Sequence, residues 1–193
     1  MACRCQKIIL FCLLFLVSCS NDTKTPRVII NQSVENGDIV LRREDGFVST
    51  MFSTVASTGG VFSHIGIVVV DSVGEISVLH CEMEETKEAS SVRIESIENF
   101  LALADTFAVY RLEYPLEVRD EVINKALMRY ASGARFDFDF DNTTDSLLYC
   151  TELVAKSIND ALGEDLVKPT KMVLEKTCFS LDDLTKHSKL ITE

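Results

Sequence analysis

Apolar and polar positions along the chain mark out short extended segments first and longer helical ones later. Asp38, Ile39, Val40 and Leu41 read as a short strand after Gly37. Residues 44–60 are polar and rich in Ser, Thr and Gly, which predicts a loop with room for one helical turn at 51–56 and a hinge at Gly59 and Gly60. Residues 63–70 form a β-branched apolar run, 71–74 a turn and 75–81 a returning strand, the pattern of an antiparallel hairpin. With the turn centred on Ser72 and Val73, His64 falls opposite Cys81 and His80 opposite Ile65. The two imidazoles are then diagonal neighbours at one sheet end, and the face that each takes is left open.

A helical or loop connection holding residues 94–103 leads to a third strand at 107–112. Val118, Val122, Ile123, Ala126, Leu127 and Tyr130 recur at helical spacing over 116–131, and Gly133 stops that helix. Phe136, Phe138 and Phe140 alternate with Asp137, Asp139 and Asp141, which predicts a strand with rings on one face and carboxylates on the other. A calcium loop of EF-hand type fails there, because Asn142 stands in place of its glycine and Leu148 in place of its bidentate Glu. Residues 147–162 carry a second helical stripe closed by Gly163, with Cys150 in the first turn. The tail, with Pro169, Cys178 and a capping pattern from Ser180, reads as one or two short helices. Strands followed by helices that pack on them make an α+β fold.

The first residues do not belong to that fold. Arg4 and Lys7 precede an apolar run at 8–17, about half of what a helix needs to cross a bilayer, so a removed secretory leader is expected and a permanent anchor is not. Leu16, Val17, Ser18 and Cys19 resemble a bacterial lipobox, which makes residues 1–18 a lipoprotein signal peptide and Cys19 the lipidated N-terminus. Residues 19–36 then form a tether, and 37–193 one domain. The expected location is the bacterial cell envelope, with membrane contact only through the lipid.

Charge and cysteine content narrow the partners. A formal charge of −11 gives no electrostatic support for binding nucleic acid or an anionic bilayer, and the absence of Trp weakens a stacking platform. Once Cys3, Cys5 and Cys12 leave and Cys19 is acylated, Cys81, Cys150 and Cys178 remain. Three thiols cannot all pair within one chain, so no disulfide framework is expected.

A thiol in the first turn of a helix meets unpaired N–H groups and the positive end of the helix dipole, both of which favour thiolate and can also hold an oxyanion. Its proton partner must come from His64, His80 or His187, and His187 lies among Lys186, Ser188 and Lys189 as a solvated residue. His64 and His80 share one sheet end, so a helix packed there would assemble nucleophile, base and orienting group. His64, His80, Cys81 and Cys150 are zinc-ligand types, but no ligand spacing supports a site, so no metal and no cofactor is expected. Gly59 and Gly60 lack the lysine of a phosphate loop.

Gly37-Asp38-Ile39-Val40, Phe62-Ser63-His64-Ile65-Gly66-Ile67, Val78-Leu79-His80-Cys81 and Tyr149-Cys150-Thr151-Glu152-Leu153-Val154 follow one another in an order that resembles the YiiX/YebB-type permuted papain-like cysteine hydrolases. These are relatives of the NlpC cell-wall peptidases and of lecithin-retinol acyltransferases. The resemblance implies a circularly permuted papain-like fold, an antiparallel sheet packed against the helix that carries the nucleophile. It implies Cys150 as nucleophile and His64 as general base, acting on amides of short peptides or cell-wall peptides. The family's third position usually carries Glu, whereas His80 stands here, as in the NlpC branch, and Glu82 is the reserve for the orienting role. Two other functions fit the same residues: acyl transfer or hydrolysis on lipids or thioesters, and binding by a lipoprotein that has lost catalysis.

Overall fold

Strand β1 (Ile39–Glu44) lies between β2 (His64–Val70) and β5 (Ala104–Leu112), antiparallel to both. Strands β3 (Ile76–Glu82) and β4 (Ser91–Ser96) continue the sheet beyond β2, and the short pairs β6 (Arg135–Phe136) and β7 (Leu147–Leu148) close that side. At the other edge β10 (Ser188–Thr192) pairs with β5, giving the order β10-β5-β1-β2-β3-β4-β6-β7. The computed structural model describes residues 34–44, 59–102, 104–173 and 175–192. The expected signal peptide, Cys19 and most of the tether, together with the 51–56 turn and most of its loop, lie outside the described residues. No helix among the described residues is long and apolar enough to cross a membrane.

The central strands are apolar on both faces because both faces are covered. Ile39, Leu41, Ile65, Ile67, Leu79 and Cys81 point into the larger core, beneath α2 (Leu116–Ala131), α3 (Cys150–Leu162) and α4 (Leu181–Thr185). Val40, Val68, Val78 and Val109 point the other way, against Ile97, Phe100 and Leu101 of α1 (Ile97–Leu101). The α+β fold, the 116–131 helix and the thiol in the first turn of α3 are as the spacing implies.

Four local expectations need correction. The β2–β3 register is one residue later than the sequence suggests, with Gly66 facing His80. Asp71 closes the hairpin around Ser72, Val73 and Gly74: its carboxylate accepts from Val73 N and Glu75 N at 2.9 Å each, and Gly74 takes φ +85°. That three-residue loop moves the centre from between Ser72 and Val73 onto Val73. Second, residues 91–96, expected partly as helix or loop, form β4, whose polar Arg93 and Glu95 are pointed at charged partners on the sheet face.

Third, the Phe/Asp alternation yields a strand only at its first residue. The buried Asp137 carboxylate accepts from Asp139 N at 2.8 Å and also from Asp141 N, while Phe140 adopts φ +53°, so a side-chain turn replaces the ladder. Fourth, the tail holds one short helix, α4, capped by Ser180, and adds strands β8 (Lys171–Val173), β9 (Lys176–Cys178) and β10.

Candidate active site

Helix α3 is anchored at the end that carries Cys150. Glu152 accepts the N–H of Tyr149 at 3.3 Å, the Tyr149 hydroxyl donates to Asn142 Oδ1 at 2.7 Å and accepts from Phe179 N at 2.8 Å, and Cys81 Sγ donates to Leu148 O at 2.9 Å. These contacts fix the first turn of the helix on β3. Cys150 is therefore the first helical residue, partly exposed, and the N–H groups of Thr151, Ile65 and Cys150 itself favour its thiolate. Burial outweighs them, with the Glu82 charge adding to it, and the thiol is pushed up to about 12. The N–H groups at the helix start pull toward thiolate, as the sequence suggests, but burial outweighs that pull and the net shift favours the neutral thiol.

His64 opens β2. Because Gly66 faces His80 and Arg42 faces His64, strand alternation puts Arg42, His64, His80 and Glu82 on one face of the sheet. Gly66 makes this possible: a Cβ there would lie 2.3 Å from Val78 Cγ1 and 3.1 Å from His80 Cβ. His64 Nε2 is 2.9 Å from His80 Nδ1. The far nitrogen of His80, Nε2, is 2.9 Å from Glu95 Oε1 in a bent contact that misses hydrogen-bond alignment but holds the Glu95 carboxyl below its ordinary range. His64 is held well below its ordinary 6.5, by burial first and then by the charges of Arg42, His80 and Arg93.

Around the two rings runs an ionic frame. Glu82 Oε2 is 3.6 Å from His64 Nε2 and 3.5 Å from His80 Nδ1. Arg42 Nη2 binds Glu82 at 2.6 Å and Glu44 at 2.8 Å, its Nη1 donates to Phe100 O at 2.8 Å, and its guanidinium lies 4.3 Å from the centre of the Phe100 ring. Phe100 also meets both imidazoles, with ring centres 5.7 Å from His64 and 5.0 Å from His80.

The structure thus brings His64, His80 and Glu82 into direct contact and places Cys150 against the main chain of Ile65, next to His64. Among the described residues no hydrogen bond joins the Cys150 thiol to a His64 nitrogen. The thiol arrives with the helix on one face of the sheet and the imidazoles occupy the other, with the main chain of Ile65 as the neighbour that Cys150 touches. Cys81 points into the larger core and is not part of the histidine cluster. His187 lies between α4 and β10 and its carbonyl accepts from Glu113 N, away from these residues. No role is expected from the sequence for Arg42, Glu95 or Phe100. A charge following the apolar run 39–41, and charges alternating with Val92 and Ile94, were the available signals.

Over residues 33–192 the chain matches the model of the permuted papain-like amidase enzyme, YaeF/YiiX, C92 family. The chain belongs to this family. The match spans the strands that carry His64 and His80 and, after them, the helix that carries Cys150, which is the permuted order. C92 membership makes the chain a papain-like cysteine amidase at the level of the family. The fold is similar to the crystal structure of metalloprotein yiiX from Escherichia coli O157:H7, with a TM-score of 0.65 and 20% identity over 82% of this chain and 97% of that one. No curated protein matches the chain.

Proposed function

We propose that this C92 amidase cleaves amide bonds of short peptides or cell-wall peptides, with Cys150 as nucleophile, His64 as general base and His80 as the residue that orients the base. The observation that carries this reading is the 2.9 Å contact between His64 Nε2 and His80 Nδ1, beside a thiol at a helix start. That contact commits one nitrogen of each ring. For His64 to accept the thiol proton on Nδ1, its Nε2 carries hydrogen and donates to His80 Nδ1, and the His80 hydrogen then sits on Nε2, toward Glu95.

With a neutral thiol at rest, proton transfer accompanies attack. As Cys150 Sγ bonds to the carbonyl carbon, its proton passes to His64 Nδ1, and N–H groups at the start of α3 hold the oxygen that becomes negative. The imidazolium returns the proton to the departing amine, the C–N bond breaks and a thioester remains. Water then attacks the thioester, gives its proton to His64 and releases the acid as the thiol reforms.

The leader pattern supports placement at the cell envelope through a lipid on Cys19, facing peptide material outside the cytoplasm. The test is incubation of the purified chain with peptide amides and peptidoglycan fragments, reading new free amines and trapping a thioester on Cys150 by mass spectrometry. Amine release that disappears in Cys150→Ala supports the reading. Release or transfer of acyl chains from lipids or thioesters, with peptides untouched, would replace it, and ligand retention without turnover would favour a binding lipoprotein. For the location, Cys19→Ala should move the protein from the membrane fraction to the soluble one.

A further inference from the structure

We propose that His64, His80 and Glu82 form a binding site for a divalent zinc-like cation, and that the bound ion holds the amidase in an inactive tautomer. The inhibitory half rests on His64 acting as the base; the binding half does not.

The geometry comes first. Zinc bonded at about 2.0–2.1 Å to tetrahedral nitrogen and oxygen ligands has ligand–ligand edges of about 3.3–3.4 Å. Here the three edges are 2.9 Å from His64 Nε2 to His80 Nδ1, 3.6 Å from His64 Nε2 to Glu82 Oε2 and 3.5 Å from His80 Nδ1 to Glu82 Oε2. All three edges lie within about 0.5 Å of that spacing, so a small shift of the side chains would seat an ion. Among the described residues this is the one group of His, Cys, Asp and Glu side chains brought together so closely. Glu82 Oε2 also accepts from Arg42, and a carboxylate oxygen has a second lone pair for a metal.

Charge points the same way. Glu44, Glu82 and Glu95 surround a single guanidinium, Arg42, while the nearby Arg93 is matched by Glu84 at 2.7 Å. With both imidazoles neutral the cluster holds an excess of two negative charges, which one divalent ion neutralises. Two imidazole nitrogens and one carboxylate select a zinc-like ion over magnesium or calcium, which prefer oxygen ligands.

The consequence for catalysis follows from the imidazole ring itself. A neutral imidazole has one lone pair on nitrogen and one N–H. A metal on Nε2 takes the lone pair, so the hydrogen must sit on Nδ1, the atom that has to accept the thiol proton. The ion need not touch Cys150 to silence it.

The test uses the purified full chain stripped of metal. Zn²⁺ competition against a chromophoric chelator should give one equivalent bound, and Co²⁺ should give the visible spectrum of a four-coordinate site. His64→Ala, His80→Ala and Glu82→Gln should each weaken Zn²⁺ by at least the roughly 10–100-fold typical of losing even an outer-shell partner, whereas Cys150→Ser should bind as the parent does. Long-range ¹H–¹⁵N spectra of the unmutated protein with Zn²⁺ should show His64 protonated at Nδ1, a readout that survives if the variants fail to fold. Zn²⁺ should stop amide hydrolysis and chelator should restore it. Absence of a bound equivalent, binding unchanged in His64→Ala and His80→Ala, or full activity with the site loaded would each overturn the proposal. If metal binds as described while the metal-free protein hydrolyses no amide, the binding site stands and the amidase reading fails.

Discussion

Nε2 of His64 and Nδ1 of His80 stand 2.9 Å apart, so only one of the two atoms carries a hydrogen. In ordinary triad logic a carboxylate or carboxamide orients the base by accepting its distal N–H. On the proposed roles a second imidazole takes that place, and Glu95 lies behind it, 2.9 Å from the other nitrogen of His80. The carboxylate stands one ring behind His64.

The proposed function makes His80 a positioning residue, and the nature of its replacement should then matter more than its size. His80→Ala leaves the His64 N–H without an acceptor and should lower kcat by about 10²–10⁴-fold, the usual worth of a correctly placed acid–base group. His80→Asn offers a carboxamide oxygen in its place and should recover most of that loss, with KM little changed in both. Steady-state kinetics on folded variants decide the matter. Equal losses in Ala and Asn would mean that His80 only fills space.

Cys150 should behave as a suppressed thiol. Raised to about 12 against about 8.5 for a free cysteine, it should react with iodoacetamide at pH 7.5 on the order of 10³-fold more slowly than free cysteine. The rate should still be climbing at pH 10. Glu82 is the largest charge opposing the thiolate, so Glu82→Gln lowers the thiol pKa and should speed alkylation. Alkylation rates located by mass spectrometry across pH provide the check. A plateau below pH 8 would instead reveal a resting thiolate–imidazolium pair.

Legibility in the sequence tracked how local each feature is. The 116–131 helix and the Cys150 turn announce themselves through helical spacing and Gly stops, and Ser180 through its cap. His64 and His80 were found at one sheet end, yet whether they shared a face depended on one residue in the hairpin, fixed by Asp71 and Gly74. A shift of one inverts a strand's faces relative to its partner, so the face could not be read from β-branched residues apolar on both sides. Arg42 and Glu95 reach the histidines from strands far apart in the chain, and no spacing rule links them. The Phe136–Asp141 alternation misled because an Asp side chain can replace the ladder.

Glu152 gives a stability prediction with a definite sign. Burial raises its carboxyl from 4.5 to about 7, against the pull of Lys156. Between those values the unfolded chain releases this proton and the folded chain keeps it, so the folded state loses stability as pH rises from about 4.5 to 7, by about 3 kcal/mol in all. Glu152→Gln removes the titration and keeps an oxygen for Tyr149 N. The variant should gain relative to the parent between pH 5 and pH 8 in urea unfolding. Parallel pH curves for the two proteins would contradict the assignment.

Gly66 couples packing to chemistry, and a pair of substitutions can separate the two. An added methyl would sit 2.3 Å from Val78 Cγ1 and 3.1 Å from His80 Cβ, within the sheet face that holds both histidines. Gly66→Ala should destabilise the protein by about 1–3 kcal/mol, as overpacking of a close-packed interior does. Shortening the worse contact with Val78→Ala in the same chain should restore part of that loss. The His80 contact would remain, so β3 would still hold His80 away from His64 and kcat should stay depressed while the melting temperature recovers. Recovery of both together would mean that Gly66 serves packing alone; recovery of stability without activity would show that this glycine is there to let the two imidazoles meet.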